Sequence, residues 1–203
     1  LGDIQTMTIG RFQYLHGNAL SSLHRNGKVL TRRDLDGSDA GTTGVVKEPW
    51  EMPVHDARAL AGPHARTLYR QGFELHDAPL DRDACDFFNH ADVVTRYYPP
   101  CQTLVADATG ARHVWAFDHN VRSAAGKERQ RRIEGGQQVQ GPAHMVHGDY
   151  TLTSAPQRLQ DLGRPPGEND TLKGALGERP LVPGDVVEAA LDEGRFAIVN
   201  VWR

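Results

Sequence analysis

The sequence has few of the features that mark membrane, secreted and nucleic-acid-binding proteins. No apolar run approaches the roughly 20 residues of a membrane span, and nothing resembles a signal peptide. Two cysteines, Cys85 and Cys101, are too few for a disulfide framework. A formal net charge of -3 with interspersed signs gives no long-range attraction to nucleic acid or anionic lipid. We therefore expect a cytoplasmic protein with buried cysteine thiols and a small-molecule partner, binding neither nucleic acid nor membrane.

The composition is that of a folded protein rich in turns. The 203 residues include 21 Gly and 12 Pro, and 38% are hydrophobic, which suffices for one domain with a sizeable core. The chain starts at Leu1, and it ends at Arg203 directly after an apolar run at 196–202. Because that run is typical of a buried strand, we expect a single domain over residues 1–203 that is incomplete at its C-terminus.

Local patterns predict both strands and helices. Alternating or apolar runs predict strands, whereas caps, prolines and helical spacing predict helices. The predicted strands lie at 4–15, 28–31, 53–58, 69–75, 111–122, 143–151 and 196–202. The predicted helices lie at 83–89, 99–109 with Gly110 as its end, 154–159 with Ser154 as its cap, and 183–191. Loops at 34–44, 123–141 and 163–177 connect them, and the basic loop 123–141 is either a solvated connection or a lid.

The stretch 143–151 (Ala-His-Met-Val-His-Gly-Asp-Tyr-Thr) places an imidazole and a carboxylate two residues apart in an apolar run. If it is a strand, His147 and Asp149 lie on the same face. With a third ligand from elsewhere, they would form the two-His-one-carboxylate site of non-haem iron proteins, which leaves positions for a co-substrate and dioxygen. The pattern is short, and the alternative is a half-buried strand with two ordinary polar residues facing solvent.

Several pieces in order extend this pattern. They are 72–75 (Gly-Phe-Glu-Leu), 97–99 (Tyr-Tyr-Pro), 109–122 with its Trp-Ala-Phe-Asp-His-Asn-Val-Arg run, 142–151, and 200–203 (Asn-Val-Trp-Arg). Together, over roughly residues 66–203, they resemble the non-haem iron, 2-oxoglutarate-dependent oxygenases. The similarity is to the branch that contains the cephalosporin methoxylation component and fungal gibberellin desaturase.

The resemblance implies a mainly β fold with flanking helices, a double-stranded β-helix (jelly roll, cupin-like). It implies that His147 and Asp149 are iron ligands. The family's second histidine lies on a later strand, and this sequence ends before that point, so we expect the third ligand beyond residue 203. His144, His113 and His119 are the nearby imidazoles that could replace it, although His144 would face away from His147 on a regular strand.

The resemblance also implies the cofactors and the reaction. Fe(II), 2-oxoglutarate and O2 would hydroxylate or desaturate a small, secondary-metabolite-like substrate and release succinate and CO2. The distal carboxylate of 2-oxoglutarate needs a cationic fork, and Arg203 is the first choice because a guanidinium binds a carboxylate bidentately. Arg122 and Arg158 are the alternatives, and a surface salt bridge is the other explanation for all three.

The substrate pocket and the partners are less defined. Tyr150, Thr151 and Trp202 are candidates to line the pocket, with core packing as the alternative for Trp202. Two other functions share the same residues. One is a jelly-roll protein that binds a metal or ligand without oxidation, and the other is a non-catalytic partner subunit in a biosynthetic complex. A homodimer or a biosynthetic partner enzyme fits these expectations.

Overall fold

The computed structural model describes residues 8–17, 46–59, 67–81, 83–124, 133–136, 139–192 and 194–203. These residues form two compact units. Unit 1 contains the described residues up to 81 together with Ala143–His147, and unit 2 contains those from 83 to 142 together with Gly148–Arg203. Within the described ranges, no helix combines the length and apolar character needed to cross a bilayer.

Unit 1 is built on a pair of antiparallel strands. Strand β1 (Thr8–Leu15) pairs with β2 (Lys47–Val54) in a register that runs from Thr8 opposite Val54 to Leu15 opposite Lys47. A short 3-10 turn (Ala57–Ala59) and helix α1 (Leu68–Gln71) follow. Thr67 caps the start of α1, and Gly72 ends it with a left-handed φ of 76°, which is a common way for a helix to end.

Two prolines limit this sheet at β2. The Gln13 carbonyl accepts a hydrogen bond from the Val146 amide at 2.8 Å, so it points away from β2. Pro49 faces Gln13 across the pair, and its backbone nitrogen therefore also points outward. Pro53 has the same orientation because it lies four residues further along the strand. A further strand could not receive ladder hydrogen bonds from these two positions, so β2 has the character of an edge strand.

Unit 2 is helical. Helix α2 (His90–Asp92) continues through a π turn (Val93–Tyr97) into α3 (Tyr98–Thr109), and it is followed by α4 (Ser154–Leu162), α5 (Lys173–Leu176) and α6 (Gly184–Asp192). Gly110 ends α3 with a φ of 69°. The predicted helices at 99–109, 154–159 and 183–191 are confirmed.

Two prolines explain the π turn. In a regular α-helix, the amides of residues 99 and 100 would donate to the carbonyls of Thr95 and Arg96, but Pro99 and Pro100 have no amide hydrogen. The helix widens just before them, and the Tyr98 amide donates to the Val93 carbonyl five residues back. A proline pair within a helix is a recognised cause of such irregularity.

The core of unit 2 packs around the π turn. Val93 is 1% exposed, and Tyr98, Cys85 and Leu172 are buried beside it. Phe87, Tyr97, Ala116 and Leu181 surround this cluster. Both cysteines are buried and unpaired, as predicted.

The predicted mainly β jelly roll is wrong. The described residues contain one two-stranded antiparallel sheet, and the other regular elements are helices. The strand predicted within 4–15 is confirmed by β1, and the one at 53–58 overlaps only the end of β2. Residues 69–71 are helical instead of extended, and 83–89 is a turn region before α2. The predictions at 28–31 and 34–44 lie outside the described residues.

The runs at 111–122, 143–151 and 196–202 contain no ladder strand, although their alternation predicts one. Side chains satisfy part of their backbone instead. Gln102 donates to the Val114 carbonyl at 2.8 Å, and Asp118 accepts from the His119 amide. Arg122 makes one isolated bridge, to Gln140. Alternation shows which side chains can share a face. A strand also needs a neighbouring strand for its backbone hydrogen bonds, and the sequence of one segment does not show whether that neighbour exists.

Candidate functional site

His147 lies in irregular, exposed backbone in unit 1. Its Nδ1 is 2.8 Å from the carbonyl oxygen of Met145. A hydrogen bond to a carbonyl requires a proton on Nδ1, so Nε2 carries the lone pair of the neutral ring. In metal-binding histidines, one ring nitrogen typically binds the metal and the other donates its hydrogen to a carbonyl, a carboxylate or water. The adjacent Val146 amide bonds to β1, which fixes the backbone next to His147.

Asp149 lies in unit 2 and is also exposed. The side-chain amide of Asn200 donates to Asp149 Oδ2 at 2.6 Å. Asn200 belongs to the irregular segment 194–203, 51 positions later in the chain. The carboxylate therefore has a neutral donor on one oxygen, and this donor leaves its negative charge in place.

The donor types of His147 and Asp149 fit a first-row metal such as Fe(II). Within the described ranges, no group of three or more His, Cys, Asp or Glu side chains could hold a metal ion. The three replacement imidazoles do not change this. His144 is exposed, His113 stacks on Trp115 at 5.4 Å, and His119 Nδ1 lies 2.8 Å from Tyr98 Oη. A complete iron site therefore needs a ligand from outside the described residues.

Arg203 lies over the ring of Tyr97, with its guanidinium carbon 5.8 Å from the ring centroid. Tyr97 also packs edge-on against Phe87 at 5.0 Å. Burial, together with the hydrogen bond that its hydroxyl donates to Cys101, raises the pKa of Tyr97 to about 12, while the nearby Arg203 guanidinium acts in the opposite direction. The ring is thus neutral at physiological pH and offers the arginine a flat surface.

The two alternative arginines have structural partners. Arg122 donates through Nη1 to the Gly141 carbonyl at 3.0 Å. Arg158 pairs with Asp170 at 2.7 Å and lies 5.2 Å from the centroid of Phe117. Because the Arg158–Asp170 pair is about three-quarters buried, breaking it would leave a charge poorly solvated. A carboxylate ligand would have to displace Asp170 from Arg158.

The three candidate pocket residues have different surroundings. Tyr150 packs edge-on against Phe117 at 6.4 Å. Burial raises the pKa of the Tyr150 hydroxyl, whereas the positive charge and hydrogen bond of Arg158 lower it. Thr151 exchanges hydrogen bonds with Ser154 at the start of α4, which resembles a helix cap. Trp202 is 75% exposed. The cleft beside Phe117 and Arg158 has a volume of about 10 Å³, far below the roughly 300–1,000 Å³ of typical ligand pockets, and we assign it no substrate.

Sequence reasoning missed a cluster of aromatic and imidazole rings in unit 2. The ring of His119 stacks on that of His90 at 5.3 Å and meets that of Tyr98 edge-on at 5.6 Å. Beside it, Asp118 accepts a hydrogen bond from Thr171. The Tyr-Tyr-Pro and Asp-His pairs are visible in the sequence, but no local pattern shows that they meet.

His90 allows a test of this packing through pH. Burial lowers the pKa of His90 below its ordinary value of 6.5. Between the two pKa values the unfolded chain binds more protons here than the folded chain, so the free energy of unfolding falls as the pH drops below about 6.5. We expect His90→Asn to reduce this loss, measured by urea unfolding at about pH 7.5 and about pH 5.5. Exposed His144→Asn is the control, and an unchanged pH dependence in His90→Asn would contradict the assignment.

Comparison with known proteins places the chain in a family. The sequence signature of the Oxidoreductase/YMDC permease-like domain matches residues 23–203. The chain belongs to this family. The match to the Oxidoreductase/YMDC permease-like family covers all of the described part of unit 2, including Asp149, Asn200 and Arg203. The general oxidoreductase-like assignment is therefore supported, and the family description specifies neither a metal nor a co-substrate.

Two relatives of this family member are informative. The chain is 44% identical over 192 residues, which is 94% of this chain and 87% of the relative, to the "Uncharacterized protein in dcmA 3'region" of Methylophilus leisingeri. It is 30% identical over 154 residues to Oxidoreductase AN1597 of Emericella nidulans. That alignment covers 75% of this chain and 44% of the fungal protein. No solved structure matches.

Proposed function

We propose that the chain is an Fe(II)- and 2-oxoglutarate-dependent oxidoreductase that hydroxylates or desaturates a small molecule. The observation that carries this proposal is the His147-x-Asp149 pair, in which each side chain has a hydrogen bond that suits a metal ligand. An oxidoreductase-like family and a relative named as an oxidoreductase support the reaction class.

His147 would bind the metal through Nε2, because its Nδ1 hydrogen is directed at the Met145 carbonyl. Asp149 would supply the anionic oxygen. Only Gly148 separates the two residues, so the chain itself keeps their Cα atoms within about 7 Å of each other. The third ligand would come from residues outside those described. When bound, Fe(II) with 2-oxoglutarate supplies oxidation by O2, which yields one succinate and one CO2 for each substrate hydroxylated.

Arg203 would bind the distal carboxylate of 2-oxoglutarate. Its guanidinium lies over the neutral Tyr97 ring, which supports one face of the planar group, and its fork of donors matches a carboxylate. Arg122 and Arg158 remain the alternatives, and a carboxylate bound there would displace the Gly141 carbonyl or the Asp170 carboxylate.

Anaerobic titration of Fe(II) and 2-oxoglutarate tests the proposal. The full-length protein should develop the weak visible charge-transfer band of the iron–2-oxoglutarate complex, and admission of O2 should then produce succinate. Zn(II) in place of Fe(II) is the matched control, since it has no redox chemistry, and it should give neither signal. If Fe(II) gives no band and no succinate, the oxidative function is wrong, and a non-oxidative binding protein becomes the better explanation.

A further inference from the structure

We propose that Asn200 is a positioning residue that holds Asp149 Oδ2 and thereby fixes the orientation in which this carboxylate binds the metal. The inference rests on the proposed function, because it needs Asp149 to be a ligand. Asn200 would not contact the metal itself. Its role would be to fix the orientation of the Asp149 carboxylate toward the metal.

The first support is the contact itself. The Asn200 amide nitrogen lies 2.6 Å from Asp149 Oδ2, which is short even for a hydrogen bond to a charged acceptor. A carboxylate can rotate about its Cβ–Cγ bond and bind a metal with one or both oxygens. A donor fixed on Oδ2 removes part of that freedom and holds the carboxylate in one orientation.

The second support is the way the segment carrying Asn200 is held. Residues 194–203 have no regular secondary structure, so an isolated side chain there would be poorly fixed. Three residues further on, however, Arg203 packs on Tyr97, whose ring is in turn held by Phe87. Ile198, Val199 and Val201 are partly buried on either side of Asn200. The donor is therefore anchored from both directions along the chain.

The third support is the chemistry of the donor. An arginine or lysine at this position would pair with Asp149 and offset the negative charge that attracts a metal cation. An amide donates a hydrogen bond without bringing a charge. Outer hydrogen-bonding partners of this kind typically contribute roughly 10–100-fold to metal affinity.

The test compares metal binding in Asn200→Ala and Asn120→Ala. Asn120 also makes a side-chain hydrogen bond within unit 2, to Gln140 at 3.1 Å, so its variant controls for the loss of an amide contact. Full-length protein is titrated anaerobically with Fe(II) by calorimetry and with Co(II) by visible absorption. We expect Asn200→Ala to bind both ions roughly 10–100-fold more weakly and to change the Co(II) band shape and intensity, because Asn200 no longer fixes the orientation of the carboxylate. Asn120→Ala should match the parent protein.

A second variant guards against a folding defect in Asn200→Ala. Asn200→Asp keeps the shape, removes the donor and places a like charge beside Asp149, so it should bind at least as weakly. Tighter binding in Asn200→Asp would show that residue 200 faces the metal directly, and it would overturn the inference. Parent-like affinity and spectrum in Asn200→Ala would overturn it as well. If the parent protein binds no metal, the proposed function fails and this inference fails with it, which is a different result from an unaffected variant.

Discussion

Replacing either His147 or Asp149 with alanine should abolish Fe(II) binding and leave the fold intact. A three-ligand site that loses one ligand should lose more affinity than the roughly 10–100-fold attributed to outer hydrogen-bonding residues. Both side chains are exposed, so neither substitution opens a cavity in the core. The hydrogen bond of His147 to the Met145 carbonyl and that of Asp149 with Asn200 are each worth about 1 kcal/mol. Equilibrium dialysis with metal analysis measures the binding, and circular dichroism with urea unfolding checks the fold.

His144→Ala is the matched control for these two variants. His144 is exposed and lies three residues before His147 in the same irregular stretch. Its removal tests whether any imidazole in this stretch can act as the metal ligand. We expect the His144→Ala variant to bind Fe(II) like the parent protein. Full iron affinity in both His147→Ala and Asp149→Ala would show that the metal site is elsewhere.

Arg203→Met should weaken 2-oxoglutarate binding to the Fe(II)-loaded protein by roughly 10–100-fold, the equivalent of about 1.5–3 kcal/mol for a charged hydrogen-bonding contact. Methionine keeps much of the length and apolar surface of arginine. The substitution therefore removes the positive charge and retains most of the packing against Tyr97. Arg203→Lys should recover only part of the affinity, because an ammonium group lacks the planar fork. The charge-transfer band, titrated with 2-oxoglutarate at fixed Fe(II), gives the dissociation constant.

Arg122→Met is the better control among the other arginines. Arg122 is exposed and bonds to a backbone carbonyl, whereas removal of Arg158 would leave Asp170 without its ion-pair partner. Fe(II) affinity measured without 2-oxoglutarate should stay unchanged in both variants. If Arg122→Met loses 2-oxoglutarate affinity and Arg203→Met does not, the co-substrate carboxylate lies at Arg122.

The helices of this chain could be predicted because their signals are local. Gly110 ends α3, Pro99 lies in its first turn, and Ser154 with Pro156 marks the start of α4. Each signal acts within one or two turns of the residues that it affects. The π turn was not predicted, although Pro99 and Pro100 cause it, because their effect falls on the carbonyls of the preceding turn.

The strands could not be predicted equally well. Alternation correctly indicated β1, whose partner β2 supplies a ladder. The same alternation in 111–122 was misleading. The Val114 carbonyl in this run accepts a hydrogen bond from the side chain of Gln102, whereas in a strand it would accept one from a neighbouring backbone. The jelly roll was inferred from resemblance, and the described residues contain no ladder beyond β1 and β2.

For the site, the sequence indicated residue types and left out their neighbours. His147 and Asp149 stood out by their spacing. The contact of Asp149 with Asn200 joins positions 51 apart, and the contact of Tyr98 with His119 joins positions 21 apart. Such pairs depend on how the chain folds back, and no periodicity records them.

The π turn acts as a one-residue insertion within the helix formed by α2 and α3. His90 and Tyr98 are eight residues apart, and at about 100° per residue a regular α-helix would place them about 80° apart around its axis. A π turn absorbs one extra residue, which reduces this angle to about 20°. Both side chains then reach the same ring, that of His119. A homologous chain of the same length that formed a regular α-helix here would direct one of these two side chains away from His119, whereas one that lacked one residue of the turn would keep both on the same face.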